Sequence, residues 1–124
     1  MHELDEKAQL SNNFKRREFS CKCGCGFMSP DPKLVQVVQR VREYFDKPVT
    51  INSACRCPVH NSDVGGARNS AHLQGIAADI SVKEVAPSVV HEFLDSLYPN
   101  SFGLGSYSSF THIDVRKEYA RWNG

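Results

Sequence analysis

The chain has 124 residues, enough to bury one hydrophobic core and too few for two, so one site on one scaffold is expected. Fifteen basic and fourteen acidic residues leave a formal net charge of +1, which excludes the electrostatic footprint of a nucleic-acid or membrane-surface binder. Hydrophobic content of 40% with 23% charged residues is that of a soluble globular protein, and no apolar run approaches the ~18 residues of a membrane span.

Residues 1–13 carry few apolar side chains and no period, and are expected to form a flexible or loosely docked N-terminal arm, with a single domain over 14–124. The opening MHELDEKAQL is polar and lacks the apolar stretch of a secretory signal. Lys15, Arg16 and Arg17 read as solvated surface, and FSCKCGCGFM as a turn-rich segment pinned by Phe19 and Phe27. Asp31 is a good N-cap with Pro32 at the first helical position. Leu34, Val37, Val38, Val41, Tyr44 and Phe45 then recur at helical spacing until Pro48 stops them. Val49 to Ile51 predict a short strand. It leads into SACRCPVHNSDVGGARNSAH, a loop of roughly twenty residues, a length that usually signals function. GIAADISV reads as a buried strand, and Pro87 opens a helix carrying Val90, Phe93, Leu94 and Leu97 that Pro99 closes. Gly103 to Ser108 and Phe110 to Val115 predict adjacent strands, followed by a polar tail with Trp122. The sum is an α+β fold: a small antiparallel sheet, helices on one face and a metal site on the other. Nothing in the pattern suggests a coiled coil, so a monomer is expected.

Five cysteines, an odd number, exclude a complete disulfide framework. Cys21, Cys23 and Cys25 with the distant Cys55 and Cys57 are compatible with a second, structural zinc site. Common structural sites, however, use pairs two to four residues apart. Reduced thiols in a Gly-rich turn are the simpler reading.

The strongest chemical signal is SAHLQGIAAD, where His72 on a loop and Asp79 in the next strand converge if the chain folds back at Gly75. His112, in FTHIDVR, supplies a third ligand. Two imidazoles and a carboxylate make a three-ligand zinc site with an open fourth position for water, the arrangement of catalytic rather than structural zinc. Such a site suits amide hydrolysis. Asp114, two residues from His112 on the same strand face, is the expected general base. Singly, each residue is more often a hydrogen-bonded or surface side chain; the set changes that. His2 and His91 read as solvated, and His60 as a support residue at most.

These residues also carry a family resemblance. INSACRCPVHN, VGGARNSAHLQGIAADI and GSYSSFTHIDVR resemble the motif blocks of the zinc D-Ala-D-Ala carboxypeptidases, a family that includes phage L-alanyl-D-glutamate endopeptidases. Related zinc sites occur in the D-alanyl-D-alanine dipeptidases and the Hedgehog signalling domain. FKRREFSCKCGCG is similar to the leader of a short subfamily of phages and bacteria. The resemblance implies Zn²⁺ on His72, Asp79 and His112, with Arg56 and Ser70 holding the substrate's carboxylate, as a planar guanidinium fork and a neighbouring hydroxyl can do. Tyr107 would line the cleft or donate to the oxyanion. Many relatives carry their catalytic acid three residues before the last histidine, where this chain has Ser109.

The expected function is a zinc metallopeptidase hydrolysing peptidoglycan stem peptides as a D,D-carboxypeptidase, with stem-peptide endopeptidase of the endolysin type second. It would be made in a bacterial cytoplasm, with phage or prophage origin open, and act on the cell wall. Two rivals belong to other classes: a non-catalytic, zinc-stabilised cell-wall-peptide binder, and a Cys-rich zinc module. The second predicts that alanine at His72 leaves metal binding intact.

Overall fold

Residues 5–124 are described by a computed structural model; His2 and the start of the N-terminal arm lie outside them. Helix α1 spans Pro32–Phe45, and the Asp31 side chain caps it by accepting a hydrogen bond from the Lys33 amide at 2.8 Å. Leu34, Val37, Val38 and Val41 are buried along one stripe, as their spacing predicts. Tyr44, expected on that stripe, is exposed. It stacks on Phe93, ring centroids 4.0 Å apart, and so ties α1 to the second long helix.

Five strands form one sheet: β1 (Val49–Ser53), β2 (Ala77–Val82), β3 (Gly103–Ser106), β4 (Thr111–Asp114) and β5 (Ala120–Asn123), in spatial order β1-β2-β4-β3-β5. All neighbouring pairs are antiparallel except β3 with β5. The parallel β5 adds a strand to what the sequence offered only as a polar tail. The twenty-residue loop is corrected, since it contains helix α2 (Pro58–Asp63) and a 3-10 turn over Ala71–Gln74.

Alternation decides what each sheet face does. Ile51, Ala78, Ile80, Leu104 and Ile113 point into the core formed with α1 and with α3 (Pro87–Leu97), whose Val90 and Leu94 are buried. Leu97, expected to join them, is partly exposed. Asp79, His112 and Asp114 therefore belong to the opposite face. The fold is the small α+β arrangement expected, with the long helices α1 and α3 packed on the core face of the sheet and the short α2 beside the 3-10 turn that carries His72.

Leu10 packs against the core, and Ser11 and Asn13 bond the side chain of Gln39 on α1. Among the described residues no helix is long and apolar enough to cross a membrane.

Candidate metal centre

One rung of the sheet builds the site. Ser53 on β1 pairs with Asp79 on β2, Asp79 with His112 on β4, His112 with Gly105 on β3, and Gly105 with Trp122 on β5. The missing side chain at Gly105 leaves room for the indole, since a Cβ there would sit 2.5 Å from Trp122 Nε1. His72 joins from the 3-10 turn before β2, which Ser70 caps by accepting the His72 amide at 3.2 Å. The turn ends at Gly75, whose φ of +72° reverses the chain into β2, the fold-back expected from sequence.

Asp79 Oδ1 lies 2.9 Å from His112 Nδ1 and 3.3 Å from His72 Nε2. All three side chains are buried, and their ligating atoms lie within 4.8 Å of one another. The remaining ring nitrogens have acceptors of their own on the side away from Asp79. His72 Nδ1 sits 2.6 Å from the carbonyl of Ala54, which can only accept, and His112 Nε2 sits 2.8 Å from Asp114 Oδ2, so neutral rings that donate to these two groups keep a lone pair on the Asp79 side. Two lone pairs and a carboxylate oxygen then converge on one point, an arrangement that repels itself unless a cation or proton occupies the centre. The donor set, two imidazole nitrogens and one oxygen, fits zinc with an open position. His72, Asp79 and His112 are thus brought together as expected.

Burial alone would raise the Asp79 carboxyl, but hydrogen bonds from His112 and His72 and their charge hold it well below the usual carboxylate range. Burial alone would lower His112, yet the carboxylates of Asp114 and Asp79 hold it above its ordinary value. Without a metal, a proton shared by His112 is what reconciles the cluster.

Asp114, expected from sequence as the general base, is committed to hydrogen bonds within the protein. It is fully buried behind the His112 ring. Oδ2 accepts from His112 Nε2 and from Arg116 Nη2 at 2.8 Å each, and Oδ1 accepts from Arg116 Nε at 2.7 Å. It does not line the cavity beside His72, Asp79 and His112. Burial would raise its pKa, but His112 and Arg116 hold it far below neutrality. A carboxylate so committed holds the His112 imidazole in a fixed orientation.

The cavity itself is about 450 Å³ and opens to solvent beside His72, Asp79 and His112. Arg56, Ser70 and Tyr107 all line it, as the sequence reading requires. Arg56 donates from Nε to Ser53 Oγ (3.0 Å), from Nη1 to Asn61 Oδ1 (3.2 Å) and from Nη2 to Asp79 Oδ2 (3.4 Å). Three of its five N–H groups are used and two remain for a ligand. Tyr107 stacks on Phe110 at 4.4 Å, and its hydroxyl accepts from Trp122 Nε1 at 3.0 Å, leaving its own proton to donate. Trp122 and Arg116 also line the cavity and were missed in the sequence. The alternation His112, Asp114, Arg116 was the available signal for the second. His60 does not line the cavity, and neither does Ser109, an exposed loop residue.

A sheet-borne His/Asp/His cluster, backed by a buried carboxylate and facing an arginine-lined cleft, is a group that could hold a metal ion with a position left open. The chain belongs to the Peptidase M15 family, whose model matches residues 12–114. Over 74 residues, 55% of this chain, it is 35% identical to the zinc D-Ala-D-Ala carboxypeptidase of Streptomyces albus G, and the matched stretch is 28% of that protein's length.

Proposed function

We propose that the protein is a zinc peptidase of the bacterial cell wall that removes the terminal residue from D-Ala-D-Ala-ended stem peptides. The observation that carries this reading is the convergence of His72 Nε2, Asp79 Oδ1 and His112 Nδ1 on one point beside an arginine-lined cleft. Family membership and the carboxypeptidase relative support it.

His72, Asp79 and His112 would hold Zn²⁺, which supplies Lewis acidity toward water and toward the amide carbonyl. The chain's own residues do the rest. Ala54 and Asp114 fix the two imidazoles in the tautomers that keep a lone pair on the metal side. Arg56 presents its two unused N–H groups to the substrate's terminal carboxylate, and the Ser70 hydroxyl adds a donor beside it. The Tyr107 hydroxyl, oriented by Trp122, donates to the oxygen that gains charge as the carbonyl is attacked.

A second reading is favoured by one specific observation. Asp79 is the sole carboxylate lining the cavity among the described residues, and it is committed to the histidines and Arg56. A site without a free base suits a non-catalytic binder of cell-wall peptides. The test is to incubate zinc-loaded protein with a D-Ala-D-Ala-ended pentapeptide, its C-terminal amide and whole peptidoglycan, with a chelated control, and to read products by mass. Loss of one alanine from the free acid, and slower loss from the amide, is expected. Cleavage within the stem alone would make it an endopeptidase, and no product from zinc-replete protein would leave the binder.

A further inference from the structure

A second group of side chains that could ligate a metal joins the segment before α1 to the start of α2 and does not line the cavity. Cys21, Cys23 and Cys25 come from the loop CKCGC, and Cys57 is the N-cap residue just before α2. Their four Sγ atoms all lie within 4.8 Å of one another. Measured pairs are 3.4 Å for Cys21 with Cys23, 3.5 Å for Cys23 with Cys57 and 3.9 Å for Cys21 with Cys57.

We propose that Cys21, Cys23, Cys25 and Cys57 hold a second, structural zinc ion as a closed tetrathiolate site. Zinc–thiolate bonds of about 2.3 Å in a tetrahedron place the sulfurs about 3.8 Å apart, the spacing these pairs bracket. Thiols are weak donors and acceptors, so mutual S–H···S bonds give little reason for four of them, two exposed, to converge. The backbone supports the sulfurs as zinc thiolates require. The Cys57 amide points at Cys21 Sγ (3.5 Å) and the His60 amide at Cys57 Sγ (3.4 Å). The one-residue spacing, which argued against a zinc site in the sequence, is made workable by Gly24. Its φ of +82° turns the chain between Cys23 and Cys25. Cys55 is buried outside the group, so the odd thiol is accounted for.

The site would fasten the Cys21–Cys25 loop to the chain one residue past Arg56, whose amide donates to the His72 carbonyl at 3.0 Å. It thereby braces the anion-binding side of the cavity without touching the reacting atoms.

The experiment is elemental analysis of protein purified under reductant, with cobalt substitution as the second readout. Two zinc ions per chain are expected. Cys23→Ser and Cys25→Ser should each lose one, His72→Ala should lose the other, and Cys55→Ala should lose neither. Cobalt-loaded His72→Ala should keep intense sulfur-to-metal charge-transfer bands, and cobalt-loaded Cys23→Ser should lack them, so this site is judged separately from the histidine site. A single zinc that survives Cys23→Ser, with all four thiols freely alkylated in the metal-loaded protein, would overturn the proposal.

Discussion

His112 is asked to do two things with two nitrogens: offer a lone pair at Nδ1 and a proton at Nε2. Asp114 enforces that division, because its Oδ2 lies 2.8 Å from Nε2 and Arg116 holds the carboxylate from behind. In Asp114→Asn the single amide oxygen turns to the two Arg116 donors and the amide nitrogen faces His112. The ring must then move its proton to Nδ1, on the metal side. Zinc affinity should fall about 10–100-fold, measured by competition with a chromophoric chelator. Unchanged affinity with lost turnover would return Asp114 to the role of base. At this scale the sequence singled out residues that the fold brings together, because His72, Asp79, His112 and Arg56 are chemically conspicuous. It did not show that Asp114 stands behind the ring, since alternation gives the face of a strand and not which side of a neighbour a side chain reaches.

The elements that deliver these residues differ in how plainly they were written. Helix α1 was legible from its Asp31 cap, Pro32 and four buried aliphatics, all local signals. Strand β5 was not, because Ala120–Asn123 is half-exposed, lacks alternation and exists by pairing in parallel with β3, a long-range contact. Trp122 was lost with it. The turn at Gly75 was legible because His72 and Asp79 require a reversal between them. Alanine there would hold a strained φ near +72° and place its Cβ 2.7 Å from the Ser29 carbonyl oxygen. Gly75→Ala should cost at least 1–3 kcal/mol, roughly, read from the denaturant midpoint, and should weaken zinc binding by displacing His72 from Asp79. A variant as stable as the parent would show that the reversal does not depend on glycine.

For the molecule as a whole, the cluster couples stability to pH and metal. In metal-free protein the raised His112 pKa contributes stability that is complete below its ordinary value of 6.5 and is lost as pH rises through the raised value. Asp79 and Asp114, held low, contribute stability that is complete above 3.8 and is lost as pH falls toward their depressed values. Thermal midpoints of chelated protein should therefore decline on both sides of a window from about pH 4 to 6.5. Zinc takes over the proton's place, so zinc-loaded protein should hold its midpoint above that window. Identical alkaline limbs with and without zinc would remove the metal from this account.

The most direct measurement is anomalous diffraction at the zinc edge from crystals of the zinc-loaded protein. The account predicts a peak bound by His72 Nε2, an Asp79 carboxylate oxygen and His112 Nδ1, with Asp114 still on Nε2. Zinc-replete crystals with no peak there, or with His112 turned so that Nε2 faces Asp79, would contradict it.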